Sequence, residues 1–175
     1  MLREVALLLS DALDHPETGV AAIVGTMPRL PNDPIPLGRG GALLVANEYT
    51  NEQVAKGEDL SIIPALLVLT DGPSEVAGES GRGQVGQALR VTVLLYDRAD
   101  NLLLAKATGA IILRAVRRCL NHYVSRTAQD DRTLNQIRIL DMTRMTEARY
   151  PDQRRGKATL TGGVQATVRA FDLDP

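Results

Sequence analysis

Ile62-Ile63-Pro64-Ala65-Leu66-Leu67-Val68-Leu69 is a continuous apolar run closed by the turn signal Asp71-Gly72-Pro73, and it reads as a buried strand. Further on, Leu89, Val91, Val93 and Leu95 alternate with Arg90, Thr92, Leu94 and Tyr96, a period of two that puts the first set on one face of a sheet. Between them Gly72, Gly78, Gly81, Gly83 and Gly86 are too many for a core and too spread out for a tight hairpin, so residues 72–86 read as a mobile surface loop. Asp97 to Asn101 then supplies a cap region for a helix running to about Val124, roughly 35 Å long. Its apolar members are Leu104, Ala107, Ile111, Ala115 and Cys119, flanked by Ile112, Val116, Leu120 and Tyr123. That stripe is wide enough to lie across a sheet. Gly109 inside it costs about 1 kcal/mol relative to alanine, which points to close backbone approach there.

On the N-terminal side, Leu2, Val5, Ala6, Leu9, Ala12 and Leu13 recur at helical spacing until His15-Pro16. Val20 to Val24 reads as a short strand and Ala42 to Ala46 as another. Pro28, Pro31, Pro34 and Pro36, followed by Gly38, Gly40 and Gly41, make residues 25–41 an extended surface excursion. Asn47 to Leu60 is polar and ambiguous. On the C-terminal side, Gln136 to Thr146 and Ala158 to Phe171 read as strands. In the second, Leu160, Val164, Ala166, Val168 and Ala170 share one face, and Thr159, Thr161, Gln165, Thr167 and Arg169 the other. Residues 149–157, with Pro151, Gly156 and four basic side chains, read as an exposed hairpin arm.

The fold class these elements predict is α+β: one mixed or antiparallel sheet of about four to six strands, packed against an N-terminal helix and one long helix. At 175 residues the chain is expected to form a single domain over 1–175. No apolar run approaches the ~20 residues of a membrane span, and the acidic start Met1-Leu2-Arg3-Glu4 does not read as a secretory signal, so a soluble protein is expected. Cys119 is the only cysteine, which rules out an internal disulfide framework. Aromatic content of 3%, with no tryptophan, argues against base-stacking platforms and aromatic-lined ligand pockets. The net charge of -1 hides an asymmetry. Residues 1–100 carry 7 basic and 14 acidic side chains, and residues 101–175 carry 13 and 7. Such halves pair within one fold or between neighbouring copies arranged head to tail.

No catalytic or cofactor motif survives inspection. Gly81-Arg82-Gly83-Gln84-Val85-Gly86 matches the dinucleotide fingerprint in letters, but it opens a strand where that fingerprint opens a helix. Arg155-Gly156-Lys157-Ala158-Thr159 lacks the upstream glycine and the adjacent hydroxyl of a P-loop. Cys119 and His122 share a helix, yet the only other histidine is His15. Ser10, Ser61, Ser74, Ser80 and Ser125 lack a nucleophile-elbow context. Expected catalytic, cofactor-binding and metal residues are therefore none. Arg138, Arg144, Arg149, Arg154, Arg155 and Lys157 give the second half a positive arm, interleaved with Asp141, Glu147 and Asp152, which suits weak contact with passing DNA better than sequence-specific binding.

Taken in order, Leu2 to Leu13, Ile63-Pro64-Ala65-Leu66-Leu67-Val68, Gly72 to Gly86, Gln87-Ala88-Leu89-Arg90-Val91-Thr92-Val93, Leu102 to Val124 and Gly163-Val164-Gln165-Ala166-Thr167-Val168 make a pattern. It resembles the tail terminator (tail completion) proteins of long-tailed bacteriophages, small α/β proteins with the same succession of helix, strand, long loop, strand, long helix and closing strands. Residues 25–41 and 47–60 depart from that pattern. The resemblance implies a structural virion protein, assembled in the host cytoplasm, that forms a ring, expected to be a hexamer. The ring would cap the tail tube, end its polymerisation and join it to the neck or head-completion protein, with DNA passing through the lumen. It implies no catalysis, no cofactor and no membrane. The alternative is another head-tail connector or the cap of a contractile injection system, which would share the fold and differ in partners. A small metal-dependent or hydrolytic enzyme using Cys119, His122 and carboxylates is the contrasting class. Candidate contact residues are Arg114, Arg117 and Arg118 for a neighbouring copy, with Arg82 in the loop and Arg149, Arg154, Arg155 and Lys157 in the arm for axial partners.

Overall fold

The computed structural model describes residues 2–29, 31–32, 36–38, 41–49, 64–76, 86–97, 102–127, 137–145, 154–155 and 158–171. In chain order the elements are α1 (Leu2–Asp14), α2 (Val20–Thr26), β1 (Leu44–Asn47), β2 (Ala65–Val76), β3 (Gly86–Asp97), α3 (Leu102–Thr127), β4 (Ile137–Met145), β5 (Arg154–Arg155) and β6 (Ala158–Phe171). The six strands form one mixed sheet in the order β1-β2-β3-β6-β4. Only β1 and β2 run parallel; the other pairs are antiparallel. This is the α+β architecture that the spacing predicts. Because β3 already occupies one edge of β6 as far as Thr159, β5 extends the other edge beyond β4, with Arg155 opposite Ala158.

Among the described residues, α1, α2 and α3 all cover one face of the sheet. Leu66 and Val68 of β2, Leu89, Val91, Val93 and Leu95 of β3, and Val164, Ala166 and Val168 of β6 form the floor of the main core. Val5, Leu9 and Leu13 of α1, Val20 and Val24 of α2, and Ile112, Val116, Cys119 and Leu120 of α3 form its roof. Each fully buried aliphatic side chain contributes roughly 1.5–3 kcal/mol against the ordering cost of the chain. A second cluster lies on the opposite face at one end: Ala46, Ala65, Leu67, Leu94, Tyr96 and Leu160. At that end the sheet is thus apolar on both sides, with β3 buried on both faces from Val93 to Tyr96.

Several elements differ from the sequence reading, each for a physical reason. Residues 20–24 are helical. His15 and Gly19 close a turn immediately before them, and Val20 and Val24, one helical turn apart, are the two buried positions. A short apolar run has no period of its own, so the turn chemistry decides. The excursion begins after Thr26 and is held down in places, since Pro36 is buried and Met27 and Leu37 pack on the main core. Asp71-Gly72-Pro73 does not end β2. The strand continues to Val76 with register shifts on both sides of Pro73, and β1 has already ended opposite Val68, so among the described residues no strand pairs with that side of β2 at the proline. The expected loop over 72–86 is correspondingly shorter, and its middle, 77–85, lies outside the described residues.

In α3 the buried face is rotated from the predicted stripe. Ala115 and Cys119 are buried as the spacing predicts, but Ala107 is exposed, whereas Thr108 and Leu113, outside that stripe, are buried. Gly109 faces Leu95 and Thr161, but an added Cβ would meet their atoms at 3.4–3.9 Å, ordinary contact distance. The helix approaches the sheet there without needing a glycine. In β6 the regular alternation breaks. The ladder slips between Leu95 and Tyr96, pairing Leu95 with Gly162 but Tyr96 with Leu160. The extra residue, Thr161, donates its hydroxyl to the Leu95 carbonyl at 3.2 Å, and Gly162 takes φ 159°. Leu160 therefore belongs to the second cluster and not to the face of Val164.

Candidate interaction surface

The 26 residues of α3 contain no proline and no carboxylate. Leucine, alanine and arginine dominate, side chains that lose little freedom in a helix. With its apolar side on the sheet, Arg114, Arg117, Arg118, Asn121 and His122 are exposed along the outer side. Arg114 stands three and four residues before Arg117 and Arg118, so their guanidinium groups crowd the same turn. Like charges at this spacing cost an isolated helix a few tenths of a kcal/mol. A basic face kept at that cost suits an anionic partner.

The predicted candidates on α3 are thus brought together. Arg154 and Arg155 lie on β5, at the edge of the sheet beside the start of β6. Arg82, Arg149 and Lys157 lie outside the described residues, as does most of the arm at 149–157.

A cleft of about 480 Å³ opens between α2 and α3, lined by Glu17, Thr18, Ile23, Thr26, Arg118, Asn121 and His122. Its wall is shaped by the turn after α1. The Nδ1 of His15 accepts from the N–H groups of Glu17 and Thr18, both at 3.2 Å, and lies 3.0 Å from the Thr18 hydroxyl. Backbone amides can only donate, so Nδ1 carries the lone pair and the ring proton resides on Nε2. Gly19 N–H then donates to the His15 carbonyl at 2.8 Å and turns the chain into α2.

Cys119 and His122 do not form a site together. His122 is exposed at the cleft, whereas Cys119 is 3% exposed and its thiol donates to the Ala12 carbonyl at 3.3 Å. Burial pushes that thiol up to about 11, which keeps it protonated near neutral pH and poor as nucleophile or ligand. Among the described residues no group of three or more histidine, cysteine, aspartate or glutamate side chains is placed to hold a metal ion. Ser10 is buried, donates to the Ala6 carbonyl at 2.7 Å and accepts from Asn47 at 3.0 Å, a packing role. The side chains of Ser61, Ser74, Ser80 and Ser125 are outside the described residues.

Sequence reasoning missed an acidic counterpart on α1. Asp11 and Asp14 are exposed in its last turns, where they meet the negative end of the helix dipole with no basic residue in the last turn. Partial burial, and then the charge of Asp11, raise Asp14 above the usual carboxylate range. The helical period contained this signal, since Asp11 and Asp14 fall opposite Val5, Leu9 and Leu13. Among the described residues no helix is long and apolar enough to cross a membrane. Comparison of the chain with protein-family models, with curated proteins and with solved structures finds no match.

Proposed function

We propose that this chain is a structural virion protein of the tail-terminator kind, a ring that caps a phage tail tube, stops its growth and meets the neck. The observation that carries the reading is the succession of elements: an N-terminal helix, strands β2 and β3 joined by a long connection, the 26-residue α3, and the closing strands β4 and β6, all in one sheet. The exposed Arg114, Arg117 and Arg118 support it, because a cationic helix face opposite an acidic one suits contact between subunits. The virion is the proposed location, and the tube subunit, the neck protein and passing DNA are the proposed partners. No catalytic step is part of the proposal.

Two measurements test it. The native mass of the purified chain should be that of a closed ring, six copies on the proposed reading. Added to polymerising tube protein, the chain should shorten tubes and be found at one tube end by electron microscopy. A chain that stays monomeric at all concentrations and leaves tube length unchanged would count decisively against the proposal.

A further inference from the structure

We infer that copies of this chain associate head to tail through two charged helix faces, the Arg114–Arg117 face of α3 on one copy seating on the Asp11–Asp14 face of α1 on the next. The inference rests on the reading of the chain as a self-assembling protein and names the surfaces by which it would do so.

The placement of the two faces carries the argument. α1 lies over β1 and β2, at one edge of the sheet, while α3 lies over β3, β6 and β4 towards the other. Within this layer Cys119 faces α1, through its bond to Ala12. Arg117 precedes Cys119 by two residues, about 160° round the helix, and so lies on the flank turned away from α1. On α1 the relation is mirrored. Ser10 reaches Asn47 of the edge strand β1, and Asp14, one turn later and about 40° round, lies on that same outer flank. Asp11 and Arg114 occupy the solvent-facing crests of their helices.

One outer flank of the helix layer therefore carries an acidic pair and the opposite flank a basic one. α3 has no carboxylate to neutralise its arginines, and the one base of α1, Arg3, is about 16 Å along the axis from Asp14. Among the described residues none of Arg114, Arg117, Asp11 and Asp14 is held in an ion pair. Successive charges stand three residues apart on both helices, roughly 4.5 Å of rise, so the two rows match in spacing. Two different surfaces at opposite edges make a heterologous contact, the kind that generates rings when the rotation closes. A polyanion would satisfy α3 alone and leave the acidic edge unexplained.

The test is a charge swap read by native mass spectrometry and sedimentation. R114E/R117E and D11K/D14K change exposed positions only, and far-UV circular dichroism should show both folded. Each variant alone is expected to lose self-association by at least tenfold in concentration. Their equimolar mixture should regain it, since each then offers the face the other lacks, and should form only assemblies in which the two alternate. An oligomer that persists unchanged in both variants would overturn the inference while leaving a ring intact. Loss in each variant without rescue on mixing would also overturn it. Loss of binding to a DNA duplex in R114E/R117E, with self-association untouched, would reassign α3 to a polyanion. Rescue by mixing in a chain that fails to cap tubes would uphold the contact and remove the terminator reading.

Discussion

The Cys119 thiol and the Ala12 carbonyl meet at 3.3 Å, joining the middle of the long helix to the last turn of the first across 107 residues of chain. Ala12 is among the last four residues of α1, whose carbonyls lack an intrahelical partner, so the contact satisfies an orphan acceptor as well as packing two helices. It also fixes the chemistry of the sulfur. In the folded protein the thiol titrates at about 11 instead of 9.0, so folding favours its protonated form. The stability associated with this group is constant below about pH 9 and falls as pH rises towards 11, by roughly 3 kcal/mol at most. Iodoacetamide at pH 8 should label the native protein at least a hundredfold more slowly than the urea-unfolded chain. Equal rates would show that Cys119 is accessible and that the two helices are not packed as described.

Asp14 works in the opposite direction from a salt-bridged carboxylate. Its pKa is raised by partial burial and by Asp11, so the folded state holds the proton more tightly than the unfolded state. The group therefore costs stability above its folded pKa, and the cost disappears as pH falls below its ordinary 3.8. At a concentration low enough to keep the chain monomeric, Asp14→Asn should raise the thermal midpoint at pH 7 by about a degree or two, consistent with a few tenths of a kcal/mol from an exposed helix end. At pH 3 the gain should vanish. A variant less stable at pH 7, or one with the same gain at both pH values, would refute the assignment.

Three glycines separate conformational need from simple composition. At Gly19 a Cβ would overlap the backbone of His15 and lie 2.6 Å from the Leu13 carbonyl oxygen, and backbone cannot swing aside. Gly19→Ala should cost more than 2 kcal/mol, a large effect of the overpacking kind. At Gly109 the nearest atom would be Leu95 Cδ2 at 3.4 Å, and at Gly25 nothing lies within 4 Å. Both are helical, so alanine at either should be neutral or stabilising by up to about 1 kcal/mol. Denaturant melts of the three variants check this directly, and a reversed ranking would mean that α2 and α3 sit differently on the sheet.

The same comparison shows where sequence reading succeeds. The alternation of Leu89, Val91, Val93 and Leu95 was legible because β3 is regular and one of its faces is uniformly aliphatic. The helical period of Leu2 to Leu13 was legible for the same reason. Leu160 was placed on the wrong face because alternation assumes that no residue is inserted, and the bulge at Thr161-Gly162 inserts one. The adjacent pair Gly162-Gly163 was the available signal. Of the candidate surface, the arginines of α3 were readable one by one from the helical period. The acidic face of α1 is not legible in that way, since Asp11 and Asp14 look like ordinary solvated positions until the contact of Ser10 with Asn47 shows which flank Asp14 occupies.

Glu48 supplies the last test, because it finishes a ladder that the backbone leaves open. β1 ends at Asn47, opposite Val68, while β2 continues with its Thr70 N–H towards the vacated edge. The Glu48 carboxylate fills that place. Its Oε1 accepts from the Thr70 N–H and from the Thr70 hydroxyl, both at 2.8 Å, and the Tyr49 hydroxyl lies 3.2 Å from the same Thr70 oxygen. Bonds to an ionised acceptor are worth roughly 1.5–3 kcal/mol each in partly buried settings. Glu48→Ala should therefore destabilise by about 2 kcal/mol and expose the Thr70 amide to faster hydrogen exchange, whereas Thr70→Val keeps the amide bond, removes the hydroxyl's contacts with Glu48 and Tyr49, and should cost about half as much. In a double-mutant cycle the two substitutions should be coupled, since they share one oxygen. Additive effects, or an unchanged exchange rate at Thr70 in Glu48→Ala, would show that the carboxylate does not close the parallel pair.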